Sequence, residues 1–362
     1  ASLTRGCVKN FGYAIAAPFL LGLVNWLIDK AHADGITDLY LFSRDGYVIK
    51  RVLDKLKSRL RFKYHYVSVS RRTVMLAALE TDGDILELAR ARFKNSSLKN
   101  FLVTRFGIDI STFDSSALQY MLDQSEFKSE LDELNTDRDF KKIAKLAILL
   151  KAEILASSAQ VRERLKKSLL KFEMTPSEKT AVFDIGYAAS LQRGLEKIYK
   201  QRFLTGYYVA TFVGINKFLD EGGKAVGYIG ESIDPSTSNL EFVKKVYVFE
   251  TIFSHTEGST LDYTPDGSPI LISEHKYIQK NEFVSKLWRG IDDFIRLYLR
   301  YSNIIDFREF SWEKALRPFD HLVQKMNAYD LSIFSGIVFE NKFSGDVLLP
   351  ILDVKQKSSN VF

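Results

Sequence analysis

The spacing of apolar residues changes period several times along the chain, and each change marks an element. From Tyr13 to Ala33 apolar side chains fill nearly every helical turn, which predicts a long helix. Leu39 to Phe42 is a compact apolar run that ends in Ser43-Arg44-Asp45-Gly46, the pattern of a short buried strand delivering into a turn. Helical spacing returns from Tyr47 to Leu56, and Tyr64 to Ser68 reads as a second strand. Short apolar runs bounded by Gly and Asp, with amphipathic helices between them, argue for a parallel sheet.

From Asp82 to about Glu173 the pattern is helical: Ile85 to Phe93, Leu98 to Phe106, Ser115 to Leu122 and Asp139 to Phe172 carry apolar residues three or four apart. Strands are expected again at Thr180 to Phe183, Gly206 to Phe212 and Ala225 to Ile229. Val243 to Phe253 is a strand-like apolar run that contains Glu250. Ser259 to Ile272, with Thr264-Pro-Asp-Gly267, reads as a hairpin or ordered loop. After Asn281 the chain is helical, with aromatics at core spacing. The expected fold is therefore α/β, a Rossmann-like and mostly parallel sheet with a helical insertion and a helical C-terminal part. Its expected divisions are 1–81 (first part of the α/β core), 82–175 (helical insertion), 176–275 (second part of the core) and 276–362 (helical C-terminal region).

Composition narrows the class. The 362 residues are 46% apolar and 27% charged, as in a globular protein, with a formal net charge of +6. The densest basic stretches, Lys50 to Lys63 and Arg162 to Lys171, interleave with apolar residues as solvated helix faces do. Their alternative is a funnel for anionic substrates or a peripheral contact with a membrane surface. No nucleic-acid-reading motif accompanies the charge. A single cysteine, Cys7, cannot form an intramolecular disulfide, which fits a reducing cytoplasm. The five histidines have no zinc-ligand spacing. Gly12 to Ile28 is apolar enough to resemble a membrane span, but Pro18, Gly22 and Asn25 interrupt it, and a buried core helix is the expectation. The chain opens on a helix-like pattern almost at once, as a piece of a longer protein would.

Four clusters could carry chemistry. In the first, Asp45 after a strand can hold a metal or act as a base, Arg44 and Ser43 can bind a phosphate, and Gly46 and Tyr47 complete the turn. The alternative is a helix N-cap. In the second, Ser70-Arg71-Arg72 offers two guanidiniums and a hydroxyl to a diphosphate, or simply surface charge. In the third, Asp184-Ile-Gly186-Tyr187 with Ser190 and Gln192 offers an aspartate and small residues through which a phosphate could approach helix amides. A tight packed turn would read the same way. In the fourth, Glu250 is costly to bury without a partner, unless it faces outward from its strand. Near it, His255, Glu257 and Ser259 could form another binding turn.

Some chemistry is missing. A haloacid-dehalogenase-type phosphatase needs Asp-x-Asp after its first strand, whereas Tyr47 follows Asp45 and Gly186 follows Asp184 at that position. No Walker loop, Gly-x-Gly-x-x-Gly or Gly-x-Ser-x-Gly elbow occurs. Asp82-Gly-Asp84 lies at an expected helix start, where it reads as a cap rather than a sugar-nucleotide site.

In order along the chain, Gly12-Tyr13 with Pro18 and Trp26, Leu39-Tyr-Leu-Phe-Ser-Arg-Asp-Gly-Tyr47, Ser70-Arg-Arg72, Asp184-Ile-Gly-Tyr187 with Ser190 and Gln192, and Phe253-Ser254 with Gly258-Ser259 resemble a bacterial surface-polysaccharide family. The likeness is to the glycan phosphoribosyltransferase half of dual-domain ribofuranosyltransferases, whole proteins often labelled haloacid-dehalogenase-like hydrolases. It covers most of the chain outside 82–173. It implies phosphoribosyl diphosphate (PRPP) as donor, Mg²⁺, a lipid-linked O-antigen glycan as acceptor and a haloacid-dehalogenase-type phosphatase domain elsewhere in the full-length protein. It further implies Arg44, Arg71 and Arg72 on the diphosphate, the Asp184 turn with Ser190 and Gln192 on the ribose 5-phosphate, and Asp45 or Glu250 as metal ligand or general base. Tyr47, His255, Glu257 and Ser259 fall to the acceptor side. A location in the cytoplasm, at the inner face of its membrane, goes with that reading. The alternatives are a sugar-phosphate phosphohydrolase, a sugar-nucleotide-dependent glycosyltransferase and a non-catalytic assembly scaffold.

Overall fold

The computed structural model describes residues 4–253, 255–272, 278–302, 304, 311–340, 343 and 348–350. Ser254 and the C-terminal stretch 351–362, which enter the expectations above, lie outside the described residues.

Five strands form one sheet: β1 (Asp38–Phe42), β2 (Lys63–Val67), β3 (Thr180–Asp184), β4 (Leu204–Tyr208) and β5 (Lys224–Gly227). Their order across the sheet is β2-β1-β3-β4-β5, and every pairing is parallel. The sheet is thus the doubly wound, Rossmann-like arrangement expected from the sequence. In that order the connections leave β1 and β3 in opposite directions, so a crevice opens between their carboxyl ends.

Strand alternation sends side chains to two separate cores. Leu39, Leu41, Ala181 and Phe183 face a layer built from the N-terminal helix and the C-terminal helices. Tyr40, Phe42 and Val182 face the helices of the insertion. Because both faces are covered, the strands read as continuous apolar runs rather than alternating ones.

The helix α1 (Val8–Ala33) is the one helix among the described residues long and apolar enough to cross a membrane, and 78% of its most apolar stretch is buried inside the protein. It is a core helix, widened to π geometry over Gly12–Ala16. It packs closely on the helix Ile278–Tyr301 through two reciprocal glycines. A Cβ at Gly12 would lie 2.1 Å from the Leu287 carbonyl oxygen, and one at Gly290 would lie 2.0 Å from the Lys9 carbonyl oxygen. Since backbone rather than a flexible side chain must yield, Gly290→Ala is expected to destabilise the protein by about 1–3 kcal/mol, read as a lower urea midpoint with an unchanged slope. A midpoint equal to the parent's would refute the close crossing.

The insertion contains the helices Asp82–Arg90, Leu98–Phe106 and Ser115–Ser125. The single helix expected over Asp139 to Phe172 is two, Thr136–Leu149 and Lys151–Leu170, broken at Leu150. An antiparallel ribbon, Lys94–Ser97 with Glu133–Asn135, was not legible in the periodicity. Asp84 does cap its helix, exchanging hydrogen bonds with Thr81. Thr260–Tyr263 pairs antiparallel with Pro269–Leu271, the expected hairpin. The Val243 to Phe253 run is a correction: it forms the helices Glu241–Lys244 and Val246–Ile252, not a strand. Val248, Phe249 and Ile252 go into the core, so tertiary burial overrides the β propensity of the run.

Candidate active site

Three elements bring acids to the crevice at the switch point. Asp45 begins the helix Asp45–Leu53 that follows β1, Asp184 is the last residue of β3, and Glu250 comes from the helix Val246–Ile252. Gly46 lets the first of these helices sit directly over its own strand, since a Cβ there would meet the Leu41 backbone at 2.6 Å. Each carboxylate is enclosed yet keeps some contact with solvent, as at the floor of a recess.

Their titration shows how tightly they are coupled. Burial pushes Asp45 up to about 8, the charges of Asp184 and Glu250 push the same way, and Arg44 and Lys280 oppose them. A small cavity of about 10 Å³ is lined by Asp45 together with Phe19, Leu23, Phe183 and Phe249 among others, so apolar side chains pack around this residue. Burial likewise pushes Glu250 up to about 7; Arg71, Arg44 and Tyr187 pull it down and Asp184 raises it. Asp184 is also raised by burial, against the Gly186 amide, the Arg71 cation and the Ile185 amide. The trio therefore carries fewer than three negative charges at neutral pH, with protons available to exchange.

Around the acids stand cations and a phenol. Arg71 begins the helix Arg71–Ala77 after β2 and is exposed, with its charge felt at both Asp184 and Glu250. Tyr187 stacks on Phe212 at 4.4 Å, and its buried hydroxyl faces Glu250. Burial and the surrounding Glu250, Asp45 and Asp184 hold that phenol far above its ordinary value, so it remains protonated. Beside Asp45, the Tyr47 ring lies 3.8 Å from the His255 ring and 5.7 Å from that of Tyr66, whose hydroxyl donates to Glu257. Burial, then Lys280, Arg51 and Arg44, push His255 down to about 4, so it is neutral at physiological pH. Tyr47, Tyr66, His255 and Glu257 form an aromatic and polar group in which His255 and Glu257 feel the same Arg44 charge as Asp45 and Glu250.

Other candidates are committed to the fold. The Ser43 hydroxyl donates to the Val69 carbonyl at 2.7 Å and accepts from the Val69 amide at 3.1 Å, tying the end of β1 to the chain after β2. Ser70 caps its helix and donates to the Thr260 carbonyl at 2.7 Å. Arg72 is turned to the insertion: its guanidinium donates to the carbonyls of Thr104, Val103 and Leu261. Gln192 is fully buried, donating to the Leu204 and Lys224 carbonyls and accepting from Tyr208. Ser190 opens its helix and is half-buried. The Gly186 and Ile185 amides serve the Asp184 carboxylate, which takes them away from a ligand phosphate. The Ser259 carbonyl accepts from the Ile272 amide at 2.9 Å and anchors the hairpin.

Adjacent arginines on a helix point about 100° apart, so only one of Arg71 and Arg72 can face the acids. Arg72→Ala is expected to destabilise the protein by about 2–4 kcal/mol through lost hydrogen bonds to three carbonyls, of which that of Val103 keeps the Gly107 amide, and through lost packing. Arg71→Ala is expected to leave the thermal midpoint within about 1 °C, because exposed side chains contribute little. Equal losses of stability in the two variants would overturn this division.

Sequence reasoning missed Lys280 and Arg105. Arg105 had one signal, a lone cation in the apolar run Phe101-Leu-Val-Thr-Arg-Phe106. Lys280 had none, since it arrives through tertiary contacts, whereas Tyr66 lies in the strand that leads into Ser70-Arg71-Arg72.

A Mg²⁺ ion suits part of this donor set. Among the described residues no three His, Cys, Asp or Glu side chains close on a common point at metal-ligand spacing. Mg²⁺ is commonly held by only one or two carboxylates, with water and substrate phosphates completing its shell. Asp45 and Asp184, whose mutual repulsion a cation would relieve, fit that description. No protein-family model matches the chain, and no curated protein matches it.

Proposed function

We propose that the chain is a glycan phosphoribosyltransferase, moving 5-phosphoribose from PRPP to a hydroxyl of a bacterial surface glycan and releasing diphosphate. What supports this reading is the convergence of Asp45, Asp184 and Glu250 with Arg44 and Arg71 at the switch point of a parallel sheet. The reaction breaks the C1–O bond to diphosphate, forms a bond from the acceptor oxygen to C1, and moves the acceptor's proton to a base. Ribosyl transfer has an oxocarbenium-like transition state, so the site must stabilise positive charge at the sugar and negative charge on the leaving group.

Each task has a residue suited to it. Carboxylates at the floor of the recess face the developing cation, and Arg71 with Arg44 faces the diphosphate. Glu250, near neutrality, is matched to a general base at physiological pH. The group of Tyr47, Tyr66, His255 and Glu257 presents ring faces and hydrogen-bonding groups to an acceptor sugar. Mg²⁺, on Asp45 or Asp184 and the donor, would neutralise diphosphate charge. Attack opposite an α-diphosphate gives a β-ribofuranoside 5-phosphate.

The phosphohydrolase alternative is less well served. Its nucleophilic aspartate needs a partner acid two residues on, and that position holds Tyr47. The same incubation separates the readings: PRPP, Mg²⁺ and lipid-linked or synthetic glycan acceptors, followed by mass analysis. The expected product carries one added phosphoribosyl unit on the acceptor. Release of inorganic phosphate from sugar phosphates with no acceptor gain would overturn the transferase reading.

A cytoplasmic setting, contact with a membrane surface and a phosphatase domain in the full-length protein belong to this proposal. The basic stretches Lys50 to Lys63 and Arg162 to Lys171 are compatible with an anionic surface.

A further inference from the structure

Arg105 is the least explained charge among the described residues. It lies in the helix Leu98–Phe106 of the insertion and is only 1% exposed. Nη2 donates to the carbonyls of Ala91 at 3.1 Å and Arg92 at 2.7 Å, while Nε and Nη1 meet no partner. A buried guanidinium with two idle donors is costly unless something binds them. What covers it is a ring: Phe343 lies 3.6 Å from its Cζ. The same ring lies 5.7 Å from the Cζ of Arg71. One aromatic side chain thus occupies a position addressed by two guanidiniums, where a cation–π contact is a weaker partner than an oxyanion.

Arg71 links this position to the acids. Its charge acts on Asp184 and Glu250 on one side and on Arg105 on the other. Burial, with Arg71 adding to it, pushes Arg105 down to about 9, so it stays cationic at neutral pH.

We infer that Arg105 and Arg71 form an oxyanion seat beside the acid cluster, held closed by the Phe343 ring and opened when a phosphate-bearing ligand displaces that ring. Resting on the function proposed above, the occupant is the diphosphate of the donor. Arg105 takes the place beside Arg71 that the sequence suggested for Arg72. Its idle Nε and Nη1 lie on opposite sides of the guanidinium plane's axis, and each can donate one charge-assisted hydrogen bond to a phosphate oxygen.

The test is calorimetric titration of the full chain with inorganic diphosphate, in the parent, Arg105→Lys and Phe343→Ala. Arg105→Lys keeps the charge but loses the two fixed idle donors, and diphosphate affinity is expected to fall about tenfold or more. Phe343→Ala removes the competing ring, and affinity is expected to rise about threefold. A purely structural Arg105 predicts no gain in Phe343→Ala, which keeps the inference testable even if Arg105→Lys folds poorly. Unchanged or lower affinity in Phe343→Ala overturns the seat. If diphosphate binds through Arg105 but no phosphoribosyl transfer occurs, the seat stands and the transferase reading falls. If transfer occurs while both variants bind diphosphate like the parent, the seat falls and the transferase reading stands.

Discussion

Glu250→Gln is expected to lower kcat for phosphoribosyl transfer by about 10²–10⁴-fold, the contribution of a positioned general base, with a much smaller change in KM for PRPP. The amide keeps the size of the side chain and much of its polarity but cannot accept the acceptor's proton. The pH profile carries the sharper signature. A base must be deprotonated to act, so parental kcat/KM is expected to rise about tenfold per pH unit below the Glu250 value of about 7 and to level above it. That limb is expected to vanish in Glu250→Gln. Initial rates across pH in both proteins check this. Retention of both the rate and the limb would remove Glu250 from the base role and leave Asp45 as the base.

Asp45→Asn is expected to abolish most of the activity while making the folded protein more stable. Asp45 titrates at about 8 in the folded protein against an ordinary value of 3.8. Between those values the folded state holds a proton that the unfolded state has released. Stability attributable to this group is therefore full below pH 3.8, falls as pH rises, and is lost above about 8. Asparagine has no charge to confine among Asp184, Glu250 and the apolar cavity wall. The variant should melt higher than its parent by about 3 °C or more near pH 8.5, with the gap closing toward about pH 4. Thermal melts at both pH values check it. A variant less stable than the parent at the higher pH would show that Asp45 is compensated in the fold, by Arg44 or Lys280, rather than tolerated for its chemistry.

Both expectations turn on charges whose placement was only partly legible. Asp45 and Asp184 could be paired from sequence because each follows a short apolar run and precedes a helix. Parallel strands put all their carboxyl ends at one edge, so two such turns must share it. Glu250 was suspected for the right reason, a carboxylate in an apolar run, but on the wrong element. In Val246-Tyr-Val-Phe-Glu-Thr-Ile252 the β-branched content favours a strand, and the run is too short for its period to decide. As a helix it buries Val248, Phe249 and Ile252 on one side and turns Glu250 to the acids.

The polar candidates divided along a similar line. Ser43, Ser70, Arg72 and Gln192 have the residue types of a phosphate site, yet each satisfies backbone carbonyls that the fold would otherwise leave unpaired. A sequence cannot distinguish these uses, because a hydroxyl or guanidinium serves a peptide carbonyl and a substrate through the same donors. Conversely, Lys280 reaches the site from an element far from its motifs.

By itself the sequence determined the doubly wound sheet, the helical insertion between its halves and the edge at which Asp45 and Asp184 meet. Those follow from the period of burial and from the direction in which a crossover must leave a strand. Only the tertiary structure decided which of two neighbouring arginines faces the acids, that Glu250 joins them from a helix, and that Arg105 lies buried with donors to spare. Each of those depends on which side of an element is covered, and that is set by distant packing rather than by local spacing.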